Sequence, residues 1–195
     1  MLPFRCEKLG LASKLGGLDV VEFGPGPGTN FNCLGEDAAT HPKSWVGVEP
    51  NGNFADAQDA AAANFTFPRE TRWLKGEVVD VEAASFDAAV LTHVLCSVDD
   101  PAAVLEQAAR ALKPGGTLFL MEHVAADEAT GLRTLQKALA PAIEIVANGC
   151  RWRETEAILR AAKGFEDLAV ESFSADPMPL PFRPHILATA RRSGV

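Results

Sequence analysis

The chain has 195 residues, 47 % of them hydrophobic, which suits one globular domain with a sizeable core. It carries 26 acidic against 18 basic side chains, a net charge of −8, and no basic run beyond Arg191-Arg192. Such a surface repels phosphate backbones and disfavours nucleic acid as a partner. The four cysteines, at 6, 33, 96 and 150, form no CxxC and no finger-like pair. They are expected to be reduced thiols in a cytoplasmic protein, with no metal site. Residues 1–10 lack a signal-peptide pattern, and no stretch approaches 18 uninterrupted apolar residues, so the chain as written is not expected to span a membrane.

In chain order, residues 18–23 and 44–49 predict two short strands, and 72–75 a weaker third. Residues 86–92 and 117–122 predict the fourth and fifth. Between them, 53–63 and 101–112 predict helices, the second with Asp99 or Asp100 as N-cap and Pro101 near its first turn. Lys113-Pro114-Gly115-Gly116 stops that helix. Strand and helix alternating in this way predict a parallel sheet with helices on both faces. Helices are next expected over about 127–146 and 154–163, separated by a break at Asn148-Gly149-Cys150 and closed by Gly164. Residues 165–174 and 185–190 predict two last strands joined by the proline-rich 177–184. No helix fits between these strands, so they are expected to run antiparallel.

A glycine loop, Gly24-Pro25-Gly26-Pro27-Gly28, follows the first strand and leads toward a helix. Glycines there permit a tight turn and the close approach of a ligand. The spacing is Gly-x-Gly-x-Gly rather than the dinucleotide Gly-x-Gly-x-x-Gly. Pro25 and Pro27 also remove N–H donors that would cradle a pyrophosphate. The loop fits a ligand without phosphates better than NAD, which counts against an NAD-dependent oxidoreductase. Glu49, 25 residues after Gly24 and at the end of the second strand, is placed to accept both hydrogen bonds of a ribose diol. Glu77, after the third strand, is offered to an adenine edge.

Residues 22–28, 48–51, 86–90 and 112–118 together resemble the motifs of the class I S-adenosylmethionine-dependent methyltransferases, and the match extends over about 18–191. The resemblance implies a Rossmann-like α/β fold with a seven-stranded sheet of order 3-2-1-4-5-7-6, strand 7 antiparallel, and helices on both faces. It implies S-adenosyl-L-methionine as methyl donor, held by Glu22, Gly24, Gly26, Gly28 and Asn30 around the loop. Glu49, Pro50, Glu77, Val78, Thr92 and His93 complete that set. Residues 92–98, 121–125, 148–150 and 183–186 further resemble the methyltransferase-like seven branch, whose characterised members methylate small thiols. One domain over 1–195 is expected: an N-terminal segment 1–17, a cofactor-binding half 18–124, and substrate-side helices with a hairpin over 125–195. Animal members of the branch begin with a hydrophobic anchoring helix, and nothing like it precedes Leu18. The chain is thus expected either to be soluble or to lack its N-terminal part; peripheral membrane association and oligomeric state stay open. Pro27 and His93 depart from the commonest pattern without abolishing cofactor binding.

Methyl transfer from a sulfonium is an in-line displacement, for which a protein supplies orientation and a dry pocket. A thiol acceptor must also reach it as thiolate. Side chains after the fourth and fifth strands face the crevice where such sheets bind ligands. His123 is therefore the expected general base, with Glu122 orienting it or a bound water. Cys96, Ser97 and His185 are expected to border the substrate. The leading reading is methyl transfer to a small, fairly apolar thiol. An O- or N-methyltransferase acting on a lipid or quinone-type molecule is an alternative, as is a non-catalytic cofactor-binding scaffold. Arsenite methylation ranks lower, because only Cys96 and Cys150 are able to converge on the pocket.

Overall fold

The computed structural model describes residues 2–78, 81–147, 149–176 and 178–194. Asn148 and Pro177, named above in the break and in the hairpin connection, lie outside the described residues. Two short helices, α1 (Leu2–Leu9) and α2 (Leu11–Lys14), precede β1 (Asp19–Phe23). Next come β2 (Ser44–Val48), α3 (Ala55–Ala61), β3 (Arg69–Arg72) and β4 (Phe86–Thr92). The helix α4 (Pro101–Ala111) leads into β5 (Leu112–His123), followed by α5 (Gly131–Val146) and α6 (Thr155–Ala161). The chain ends in β6 (Phe165–Ser174) and β7 (Pro184–Arg192).

The seven strands form one sheet of order β3-β2-β1-β4-β5-β7-β6. Pairing is parallel from β3 through β5, whereas β7 runs antiparallel to both β5 and β6. The expected architecture is the observed one. Central strands covered on both faces read as continuous apolar runs, and Val20, Val21 and Phe23 of β1 and Ala88 to Leu91 of β4 are fully buried. One face packs Val21, Phe23, Ala89 and Leu91 against Val104, Leu105 and Ala108 of α4 and Leu159 of α6. The other packs Val20, Ala88 and Val90 against Leu9 and Leu11 of the N-terminal helices, Phe31 and Trp45. The Asp100 carboxylate caps α4 by accepting the N–H groups of Ala102 and Ala103, with Pro101 in the first turn.

Four expectations need correction. The third strand is Arg69–Arg72, three residues earlier than expected, because its register is set by pairing with Trp45 to Val48. Trp73 and Leu74, which suggested the later position, lie outside the sheet and are exposed. The glycine loop leads into a 3-10 turn, Thr29–Cys33, and not a regular helix. Lys113 to Gly116 ends α4 as expected but belongs to β5, where pairing with β4 is irregular between Phe86 and Ala88. Finally, Cys6 and Cys33 form a disulfide, so only Cys96 and Cys150 of the four expected thiols are free. Their separation of 27 residues hid the pair, since α1 and the 3-10 turn meet only in the fold. Among the described residues, no helix is long and apolar enough to cross a membrane.

Candidate active site

The C-terminal ends of β1, β2 and β4 open onto a cavity of about 260 Å³. Gly24, Gly26, Glu49, Pro50, Glu77 and His93, all expected at the cofactor, line it, and so does Ser97, expected at the substrate. Phe54, Lys75, Val94 and Asp99 also line it and were not expected. Val94 belongs to the 92–98 motif, whereas Phe54, Lys75 and Asp99 come from segments without one. Two larger hollows lie elsewhere, one of about 330 Å³ beside β3 and one of about 690 Å³ beside α6. Neither contains Glu49 or a histidine, so the glycine-loop cavity is the candidate site.

The loop is shaped for a ligand. Gly24 has a φ of +66°, and a Cβ there would meet Val94 Cγ2 at 2.5 Å. Gly26 has a φ of +54°, yet a Cβ on it would meet nothing within 4 Å and would project into the cavity. The Glu49 carboxylate accepts the Gly26 N–H and the Asn51 N–H, each at 3.0 Å. The Glu77 side chain accepts the Asp99 N–H at 3.0 Å and ties the third loop to the fourth.

Glu22, Asn30 and Thr92 are buried beneath the loop rather than in the cavity wall. The Asn30 amide donates to Glu22 Oε1 at 2.6 Å and to Thr92 Oγ1 at 3.1 Å, and its carbonyl accepts from Arg5 Nε at 2.8 Å. Burial pushes the Glu22 carboxyl up to about 7, although Arg5 and Asn30 pull it down. Among the described residues its Oε2 has no hydrogen-bond partner, although the Trp45 side chain also pulls the carboxyl down. Arg5 belongs to α1 and carries no sequence signal for this role. Gly28 packs beside Phe31 and Ala61. Val78 is 71 % exposed and does not border the cavity.

Beyond the cavity lies a cluster of histidines and thiols from four separate segments. His93 adopts φ +56°, unusual for a residue with a side chain, and its Nε2 is 3.1 Å from His185 Nε2. His185 Nδ1 faces the Arg183 carbonyl at 3.0 Å, so Nδ1 carries the proton and His93 Nε2–H donates to His185. Burial lowers both histidines, which favours the neutral rings. The Glu122 side chain accepts the N–H groups of Val94 and Leu95 at 2.6 and 2.8 Å, and so fixes the turn carrying Cys96. Burial pushes its carboxyl up to about 8.

His123 Nε2 lies 3.2 Å from Cys150 Sγ, and Phe182 packs edge-on to its ring. Burial opposes its protonation, but the neighbouring Cys96 and Glu122 outweigh that and raise it. The neighbouring Cys150 thiol, with burial, pushes Cys96 up to about 12, and Cys96 in turn holds Cys150 down. Cys96 Sγ is 3.4 Å from Ser97 Oγ at the cavity wall. Cys96, Ser97, His123 and His185 are thus brought together, and Cys150 joins them. The convergence of Cys96 and Cys150 agrees with expectation, whereas their separation in the sequence shows no metal-type spacing.

A family model described as a methyltransferase domain matches residues 6–168. Human thiol S-methyltransferase TMT1A is 31 % identical over 183 residues, 92 % of this chain and 72 % of that protein. Rat thiol S-methyltransferase TMT1B is 31 % identical over 175 residues, 88 % of this chain and 69 % of that one. Among solved structures, a SAM-dependent methyltransferase from Thermotoga maritima superposes with a TM-score of 0.67 at 20 % identity, covering 98 % of this chain and 91 % of that one. The cyclase SpnF superposes with a TM-score of 0.74 at 17 % identity, covering 96 % and 80 %. At such identities the likeness concerns the fold, and a cyclase among the neighbours shows that the fold does not itself dictate the reaction. The room at Gly26 and the polar ends of β1 and β2 fit S-adenosylmethionine, the methyl donor of this family. The chain belongs to the class I S-adenosylmethionine-dependent methyltransferases, in the branch of the TMT1 thiol S-methyltransferases.

Proposed function

We propose that the enzyme transfers a methyl group to the sulfur of a small, fairly apolar thiol. The observation that carries this reading is the cluster of Cys96, His123 and Cys150, set one side chain behind the cavity wall at Ser97. The thiol S-methyltransferases to which the chain is similar support the same acceptor. When bound, the cofactor supplies an electrophilic methyl group on a sulfonium.

Gly24, Gly26, Glu49, Pro50, Glu77 and His93 hold the cofactor at the cavity, and Glu22, Asn30 and Thr92 brace the loop from below. Val78, expected in this set, presents its side chain to solvent. His123 stabilises the acceptor sulfur in its deprotonated, nucleophilic form. Glu122 is a positioning residue: through the Val94 and Leu95 amides it fixes the turn that carries Cys96 and Ser97. Trp152 and Phe182, with ring centroids 5.0 Å apart, give the acceptor an apolar wall beside His123. Exclusion of water and alignment of nucleophile with methyl carbon supply up to about 7–11 kcal/mol of the barrier reduction.

The test is release of S-adenosylhomocysteine on adding one acceptor of each class: an alkanethiol, a phenol and an amine. Release with the alkanethiol alone is expected. Release with the phenol or amine alone would move the enzyme to the O- or N-methyltransferases, and binding without release to any would leave a scaffold.

A further inference from the structure

Cys96, His123 and Cys150 each offer one soft or borderline donor, and these atoms lie within 4.8 Å of one another. All three side chains are buried. His123 Nε2 is 3.2 Å from Cys150 Sγ, and Cys96 Sγ lies within 4.8 Å of both donor atoms. The other ring nitrogen of His123 has no hydrogen-bond partner among the described residues. Tetrahedral zinc, with bonds of about 2.3 Å to sulfur and 2.0–2.1 Å to nitrogen, needs donors about 3.5–3.8 Å apart. The cluster meets that spacing with small side-chain rotations.

We propose that these three residues form a binding site for a thiophilic divalent cation, zinc by its donor set, with one coordination position left for the acceptor thiol. Two thiolates and an imidazole select zinc over magnesium or calcium, which require oxygen ligands. Three protein donors rather than four are the mark of an open site. The open side is toward Ser97, whose hydroxyl separates Cys96 from the cavity. The metal site stands on geometry alone, whereas its use by an acceptor rests on the thiol-methylating reading above.

In that use, an incoming thiol binds the cation as thiolate and its proton leaves to solvent water. A lone pair of the bound sulfur then forms the new carbon–sulfur bond as the methyl–sulfonium bond breaks. The products are a methyl thioether and S-adenosylhomocysteine. The thioether is neutral and a weaker ligand than the thiolate, so it departs.

The experiment is an anaerobic titration of the metal-free protein with cobalt(II), a spectroscopic stand-in for zinc, with the Cys6–Cys33 disulfide intact. One equivalent is expected to give thiolate-to-cobalt charge-transfer bands and the visible bands of tetrahedral cobalt, both displaced by zinc. Cys96→Ser and Cys150→Ser are expected to weaken binding more than about 100-fold, and Cys6→Ser/Cys33→Ser to leave it unchanged. Where a serine variant misfolds, the charge-transfer intensity of the wild type, corresponding to two sulfur ligands, decides the matter. Absence of stoichiometric binding while both thiols titrate as free would overturn the site, as would a spectrum that survives in folded Cys150→Ser. Ethanethiol is then added: a further charge-transfer band supports acceptor coordination. An unchanged spectrum in an enzyme that methylates ethanethiol overturns the open position alone. A metal-loaded enzyme that methylates no thiol overturns the acceptor reading and leaves the metal site standing.

Discussion

The Glu49 carboxylate accepts the backbone N–H of Gly26 at 3.0 Å, joining the end of β2 to the loop after β1. Its other oxygen accepts the Asn51 N–H, so both oxygens are held in place before any ligand arrives. Hydrogen bonds to a charged group contribute roughly 1.5–3 kcal/mol each. Glu49→Ala is therefore expected to weaken S-adenosylhomocysteine binding by about 10–100-fold in isothermal titration. Unchanged affinity would remove Glu49 from the cofactor site.

Two glycines of the same loop separate folding from binding. Alanine at Gly26 meets open space and accepts a positive φ at a cost of roughly 1–2 kcal/mol, so the fold survives while the cavity is obstructed. Alanine at Gly24 has the same backbone penalty and also collides with Val94. Gly26→Ala should melt only a few degrees below wild type with cofactor binding lost, and Gly24→Ala should melt markedly lower. Equal melting temperatures would contradict the difference in packing.

Stability should depend on pH through Glu22. Its carboxyl lies at about 7 in the folded protein, against an ordinary value of 4.5, because burial disfavours the charge. The folded state thus holds the proton more tightly. The resulting stabilisation is fully present below about pH 4.5 and is lost as pH rises through about 7, on the order of 3 kcal/mol in all. Glu22→Gln keeps a neutral group in place, so the difference in its denaturation midpoint between pH 5 and pH 8 should be smaller than in wild type. An equal difference would show that the buried carboxyl does not govern this range.

Reduction of Cys6–Cys33 should lower stability. Opening a crosslink between residues 27 apart costs about 3–4 kcal/mol in chain entropy. It also frees α1, which carries Arg5 and its bond to Asn30. Cys6→Ser/Cys33→Ser is expected to melt lower than wild type and to be insensitive to reductant. Identical melting curves with and without reductant in the wild type would contradict this.

Much of the fold was legible because its signals are local. Proline and glycine punctuate the strand ends, and the absence of room for a helix between β6 and β7 forces the antiparallel hairpin. The glycine loop and Glu49 carry their signal in spacing alone, and the fold brings them to one cavity. What was not legible depends on contacts between distant segments. Trp73 and Leu74 imitate a buried strand, but pairing with Trp45 to Val48 places β3 earlier. Arg5 reaches Asn30 only because the disulfide and the packing of α1 bring it there. Cys150 meets His123 across 27 residues, through a turn whose N-terminal end is set by α5. Glu122 reads in the sequence as orienting His123 or a bound water, and the structure shows its side chain accepting the Val94 and Leu95 amides.

The central claim is methyl transfer from S-adenosylmethionine to a thiol sulfur. Its most direct test is incubation of the enzyme with methyl-labelled cofactor and an alkanethiol, followed by mass spectrometry of the small molecules. The labelled methyl thioether is predicted for the wild type and is expected to be strongly reduced in Glu49→Ala. An enzyme that binds the cofactor yet leaves the alkanethiol unlabelled, while labelling a phenol or an amine, would contradict it.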